Sequence, residues 1–340
     1  MALQFIDGGD HYVTADITKK WSANTGATIA ATGRRGGGAI RFLTAGTSNY
    51  LTKTLGAQAS WVVGFAFEFS AAGALVVARF TDAGTAQCEL RQNLDGTLSV
   101  TRNGTALTNG TSVLALSTST FYYIEWKVTI ADSIAANSCK VRVNGADVIT
   151  VATGQDLKNT ANASANAFAI GRVAVTASGS STFDDIYICD GTGSTNNDFL
   201  GDVRIDTLYP NADGAFSQFT PSTGTSHFAL VDEATPNTTD HNDGATIGHR
   251  DSYAFGNLDA LTSQTVYGVQ VNAAIMKDDA GAKSASTFAR SGSTNTDGAS
   301  AALGTAQVYV SQVYEFDPNT AAAWTEATVN AAEFGVRVTA

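Results

Sequence analysis

Tyr122-Tyr123-Ile124-Glu125-Trp126-Lys127-Val128-Thr129-Ile130 decides the fold class, because Tyr122, Ile124, Trp126, Val128 and Ile130 alternate with Tyr123, Glu125, Lys127 and Thr129. A period of two with one apolar and one mostly polar side is a strand with one dry and one wet face. Just downstream, Cys139, Val141 and Val143 oppose Lys140 and Arg142, and the run ends at Asn144-Gly145. That pair adopts the positive φ of a tight hairpin readily, so a second strand is expected to follow at once. Working outward, the same texture recurs at Phe65/Phe67/Phe69, Leu75 to Phe80, Cys88 to Arg91, Leu98 to Arg102 before Asn103-Gly104, Ala167 to Arg172 and Phe183 to Cys189. Half-wet strands need a second sheet over their dry faces, so an antiparallel sandwich is expected.

The chain has 340 residues, and its 20 Lys+Arg against 31 Asp+Glu give a net charge of −11. Residues 1–199 hold 14 cations and 15 acids, residues 200–340 hold 6 and 16, so the acidity sits almost wholly in the second half. This break places two domains, residues 1–198 and 199–340. The second half stays in the β class: Tyr267, Val269, Val271, Ala273 and Ile275 share one face, and Gln307 to Phe316 is a second long run. Asp317-Pro318 stops a strand, Thr325 is placed to cap a short helix from Glu326 to Glu333, and Gly335 to Val338 reads as a closing strand. No internal repeat of fixed period is visible, which argues against a solenoid or propeller.

An acidic chain without a basic patch repels phosphate backbones and anionic headgroups, so neither nucleic acid nor membrane is an expected partner. The apolar stretch from Trp61 to Phe80 is broken by Glu68 and Arg79 and reads as two strands turning at Ala71-Ala72-Gly73. Asp7, Asp10 and Asp16 near the start leave no visible secretory leader, and production in a cytoplasm is expected. Cys88, Cys139 and Cys189 show no C-x-x-C spacing and read as buried free thiols.

Ser60-Trp61-Val62-Val63-Gly64-Phe65, Tyr123-x-Glu125-Trp126, the Val141-Arg142-Val143-Asn144-Gly145 hairpin and Phe183-Asp184-Asp185-Ile186-Tyr187-Ile188 together resemble concanavalin A-like jelly rolls of the laminin G type. The opening Phe5-Ile6-Asp7-Gly8-Gly9-Asp10-His11-Tyr12, then Lys19-Lys20-Trp21, and the terminal Asp317-Pro318-x-Thr320-x-x-x-Trp324-Thr325 with Glu333-Phe334-Gly335-Val336 resemble virion proteins of tailed bacteriophages and prophages. Gly9 departs from that pattern, which has an aromatic residue there. The resemblance implies a non-enzymatic structural protein outside a phage particle, on capsid, tail or fibre, assembled in the bacterial cytoplasm. Its implied partners are other virion proteins, with a homotrimer as the expected assembly. The alternative is a carbohydrate-binding adhesin for a host-surface glycan, and a glycan hydrolase is the third reading.

Hydrolysis by paired carboxylates needs two acids about 5 Å apart on one sheet face, which alternate acids along a strand would supply. No E-x-D-x-E triplet exists among the seven Glu residues, and Glu125 reads as a surface carboxylate facing a cross-strand cation. No G-x-S-x-G elbow is present. Asp240-His241-Asn242-Asp243-Gly244 and His249-Arg250-Asp251 gather metal-ligand types, although the spacing matches no standard site and a solvated loop is the plainer reading. Laminin G-like jelly rolls carry calcium at a loop edge, and the resemblance makes Asp184, Asp185 and Asp190 the candidate calcium ligands. Sugar rings stack on aromatic side chains, and the candidates are Tyr123 and Tyr187, exposed by strand parity, with Tyr50 and Trp324 on loops.

Overall fold

A computed structural model describes residues 2–43, 48–173, 179–258 and 265–340. The chain divides into two compact units, Met1–Ile205 and Asp206–Ala340, both built of antiparallel sheets. Among the described residues no helix is long and apolar enough to cross a membrane.

The first unit is the expected jelly-roll sandwich. Its eight-stranded sheet runs Ala146–Thr150, Cys139–Val143, Tyr122–Thr129, Ser60–Phe69, Ser181–Asp190, Ala39–Phe42 and Ala27–Ala30, with Leu3–Asp7 also on Ser181–Asp190. The seven-stranded sheet runs Thr105–Ala115, Thr97–Arg102, Thr85–Gln92, Leu75–Asp82, Ala165–Val173, Asn49–Gln58 and Ala23–Thr25. The two halves of the Trp61 to Phe80 stretch are strands, as expected, but residues 70–74 carry the chain from one sheet to the other. Asn144 and Gly145 both have positive φ, 48° and 82°, so the predicted hairpin turn is formed with the twist its strands need.

Dry faces meet in an aromatic centre. The Phe80 ring lies 5.6 Å from Trp61, 5.2 Å from Trp126 and 5.1 Å from Phe168, so one side chain of the seven-stranded sheet touches two strands of the other. Each such pair contributes about 0.5–1.5 kcal/mol beyond the area it buries. Cys88, Cys139 and Cys189 are free and buried, and burial pushes the Cys139 thiol up to about 12.

In the second unit a sheet of Pro210–Ser217, Arg250–Phe255, Glu333–Val338, Ser284–Ser291 and Thr294–Asp297 has the short strand Ala301–Ala302 on Ser284–Ser291. One face of this sheet is covered by a ribbon of Val269–Ile275 and Val308–Tyr314, with Val271, Ala289, Tyr314, Trp324, Val329, Ala332 and Phe334 as the core. Thr325 caps the helix as expected, its hydroxyl accepting from Thr328 N at 3.2 Å. The helix is Glu326–Asn330, shorter than the sequence expectation, because Glu333 joins a strand paired on both sides.

Candidate functional site

The wet face of the eight-stranded sheet is where sequence parity put Tyr123, Glu125 and Tyr187. Tyr123 and Glu125 lie opposite Ala66 and Gly64, and Asp184 and Tyr187 lie opposite the same two residues from the other side. A bulge between Asp184 and Tyr187, with Asp185 at φ 49°, lets three intervals of one strand match two of the next. Gly64 is required here, since a Cβ would overlap the Tyr187 ring.

That face is closed by the chain itself. Glu125 Oε1 accepts from Tyr187 OH at 2.6 Å and from Gly201 N at 2.8 Å, and Leu200 N donates to the Tyr187 hydroxyl. Tyr123 OH donates to Asp185 O at 3.0 Å and the Arg34 guanidinium covers its ring, while Arg34 grips both oxygens of Asp202 at 2.5 Å. Asp185 Oδ1 accepts from Ile205 N at 2.8 Å. Residues 200–205 therefore belong to the first unit, which ends at residue 205 rather than 198.

These contacts correct several sequence expectations. Tyr123 and Tyr187 are each 1% exposed and not surface platforms. Parity assigns a face, but nothing local to either strand reveals that a segment far along the chain lies over it. Glu125 is likewise 1% exposed, and its cross-strand neighbour Arg142 turns to Asp147 instead. Trp324 is 2% exposed in the core of the second unit, donating from Nε1 to Tyr314 O at 3.0 Å.

The calcium candidates are not brought together. Asp184 accepts from the Arg34 and Asp185 amides, and Asp190 accepts from Gln4 Nε2, Thr192 N and the Thr192 hydroxyl. Backbone amides and side-chain donors thus occupy Asp184 and Asp190, and Asp185 Oδ2, which has no hydrogen-bond partner, faces the Arg34 and Arg35 guanidiniums at 3.7 and 3.8 Å, so the donor set does not fit the ion. Burial, then the adjacent Asp185 charge, pushes Asp184 up to about 7. Among the described residues no three His, Cys, Asp or Glu side chains converge as metal ligands. In the second unit His241 is exposed beside Asp243, and His249 sits at Gln218 O. Asp251 is buried instead between His227 Nδ1 at 2.6 Å, Tyr253 OH at 3.2 Å and Phe219 N at 2.9 Å.

A second closed cluster holds the amino-terminal segment. Asp7 Oδ2 accepts from Tyr12 OH at 2.5 Å and Trp21 Nε1 at 2.6 Å, and Oδ1 accepts from Lys20 Nζ and Gly9 N, both at 3.1 Å. His11 Nε2 lies 3.1 Å from Lys20 Nζ, and burial, then the Lys20 charge, pushes the imidazole down to about 3 from the ordinary 6.5. The lowered value has a definite sign in stability. The unfolded chain binds a proton between about pH 6.5 and 3 that the folded chain refuses, so this contribution is lost as pH falls through that window. Chemical denaturation of His11→Gln between pH 6 and 4 is expected to show a slope about 1.4 kcal/mol per pH unit shallower than that of the parent chain.

The remaining candidate, Tyr50, lies on the outer face of the seven-stranded sheet and is half-buried. Register places Thr52, Ala169, Arg79, Glu89 and Thr101 in one row across five strands of that face. Beside it, Tyr50 stands opposite Gly171, and Arg91 opposite Ser99. Gly171 cannot carry a side chain, because a Cβ would run into the backbone of Asn49 and Tyr50. The floor is therefore small, with Tyr50, Arg79, Arg91 and Glu89 as its large side chains. Arg79 lies 5.0 Å over the Tyr50 ring, and Glu89 Oε2 accepts from Arg91 and from the Thr101 hydroxyl, both at 3.2 Å. Loop residues 159–164 are fastened to the end of the neighbouring hairpin by Gln87, whose Oε1 takes the Asn159 and Thr160 amides. The expectation that Tyr50 lies on a loop is corrected, since it stands in the strand Asn49–Gln58, paired across to Gly171, and sequence reading did not single out Arg79 or Glu89 beside it.

No protein-family model and no curated protein sequence matches the chain. Solved structures similar to it include the cellulose-induced protein Cip1, at 14% identity and TM-score 0.37 over 50% of this chain and 91% of that one. Alginate lyase Aly36B is similar at 10% identity and TM-score 0.38, over 54% and 92%. The carbohydrate-binding module CBM66 from Bacillus subtilis is similar at 8% identity and TM-score 0.33, over 49% and 94%. Neither fold nor function of this chain rests on likenesses of this strength.

Proposed function

We propose that the first unit is a non-catalytic glycan-binding module of adhesin type, with the outer face of the seven-stranded sheet as its binding surface. The observation that carries the reading is the half-buried Tyr50 ring, steadied by Arg79 and set beside Thr52 and the side-chain-free Gly171. A pyranose presents its C–H face to such a ring, with the Thr52 hydroxyl and the Arg79 guanidinium beside it to meet the sugar hydroxyls. Glu89 faces Arg79 and Thr101 across the sheet, so this row offers no second carboxylate for paired acid and base work.

The exterior of a phage particle is the setting proposed for this module. There, many weakly bound copies add up to firm attachment through effective concentration. Asp7, Tyr12, Lys20 and Trp21, which carry part of the resemblance to virion proteins, are committed to one buried network and serve the fold.

The test is a glycan array on the full chain, followed by calorimetry with a bound glycan. Tyr50→Ala is expected to weaken binding by about tenfold or more, which corresponds to about 1.4 kcal/mol or more, with an unchanged melting temperature. Prolonged incubation is expected to release no shorter saccharide. Absence of any bound glycan, or equal binding by Tyr50→Ala, would overturn the reading.

A further inference from the structure

We infer that the glycan taken by this face is acidic, its carboxylate received by Arg79; the inference rests on the reading of the face as a glycan site. Arginine is a planar fork of donors that fits a carboxylate through two parallel hydrogen bonds. Other arginines of the first unit are engaged with acids, Arg34 with Asp202, Arg91 with Glu89, Arg102 with Asp156 and Arg142 with Asp147, while Arg41 and Arg172 donate to the hydroxyls of Ser180 and Ser181. Arg79 differs. Its register neighbours are Ala169 and Glu89, and Glu89 is turned to Arg91 and Thr101. Arg79 makes no ion pair among the described residues, its Nε is buried without an acceptor, and its one directed contact is with the Tyr50 ring.

A half-buried guanidinium without an acid is poorly solvated and poorly paired, so an arriving carboxylate has less water to displace than at an open lysine. Local charge agrees. Arg79 and Arg91 against Glu89 leave the face with one net positive charge, in a chain whose total is −11. Gly171 keeps the floor low between Tyr50 and Arg79's strand, so a sugar ring against Tyr50 can turn a substituent toward the guanidinium. The ligand class is therefore a saccharide containing a uronate or a sialate-type carboxylate.

The experiment uses the full chain on an array that pairs acidic glycans with their carboxyl-reduced forms and includes sulfated neutral glycans. Calorimetry then compares the parent chain, Arg79→Gln, Arg79→Lys and Tyr50→Ala on the best-bound pair, with thermal melts as the control for folding. The expected result is binding of the acidic member, weakened about tenfold to a hundredfold by reduction. Arg79→Gln should lower affinity for the acidic glycan to that same level and leave the reduced one unaffected, with Arg79→Lys in between. Equal affinity for both members, or binding confined to sulfated glycans, with Tyr50→Ala still defective, overturns the carboxylate and leaves glycan binding standing. No binding to any member overturns both.

Discussion

Asp7→Ala is expected to cost the first unit about 3–5 kcal/mol, the range for removing one member of a buried ion pair. The carboxylate is fully buried and serves four donors, one of them the nearly buried ammonium of Lys20. Alanine leaves that ammonium with only the weaker counter-charge of Asp10 and leaves the Tyr12 hydroxyl and the Trp21 indole without the acceptor Asp7 provides. Lys53 sits close by, donating to Lys20 O at 2.8 Å, so a second cation adds to the uncompensated charge. Domain stabilities are commonly about 5–15 kcal/mol, so a loss of this size moves the unit close to its unfolding midpoint at room temperature. Urea unfolding followed by tryptophan fluorescence measures it, and a loss below about 1 kcal/mol would show that the network is solvated rather than sealed. Burial works to raise Asp7, but the Lys20 and His11 charges and the Tyr12 and Gly9 hydrogen bonds outweigh it and hold the carboxyl below its ordinary range. Its contribution is therefore present above the unfolded value of 3.8 and is lost only in stronger acid, as pH falls through the folded value.

The second large effect is expected from Gly64→Ala. One methyl group is small, but it would occupy the space of Tyr187 ring carbons, and the ring is held by the Glu125 carboxylate and the Leu200 amide. Overpacking costs about 1–3 kcal/mol. Displacing the ring also strips a donor from a buried carboxylate whose Oε2 already has no partner, at about another 1–3 kcal/mol. The same displacement should loosen residues 200–205, so amide exchange of Gly201 and Ile205 is expected to quicken together with the fall in stability. A variant that loses stability while both amides keep their protection would break the link between the glycine and the covering segment.

Much of the first unit was legible because its strands are half-wet, so residues such as Ile124, Trp126 and Val128 declare their face by parity alone. The Asn144-Gly145 turn and the Thr325 cap were legible for a similar reason: each is a local backbone requirement met by a few residue types. What parity does not carry is whether a wet face stays wet. Glu125 and Tyr187 are covered by residues that follow them by up to 76 positions, through backbone amides with no residue-type signature, and Tyr123 by Arg34, which precedes it. The aspartates of residues 184–190 were misread for the complementary reason, since a carboxylate that satisfies amides and one that binds a cation look alike in a sequence. Arg79 becomes informative only against its neighbours, because the missing counter-charge belongs to the adjacent strands Ala165–Val173 and Thr85–Gln92.

The position of Ser181–Asp190 bears on how the chain is made. This strand is the neighbour of Leu3–Asp7, Ala39–Phe42 and Ser60–Phe69, three segments that leave the ribosome long before it. Until residue 190 emerges, the eight-stranded sheet is missing an interior strand, and its early strands keep open edges and bare Phe42, Phe65 and Phe67 on the face meant for the core. Completion of the first unit is thus tied to the end of its own synthesis, and a nascent chain stalled before that point is a ready template for pairing with another copy of itself.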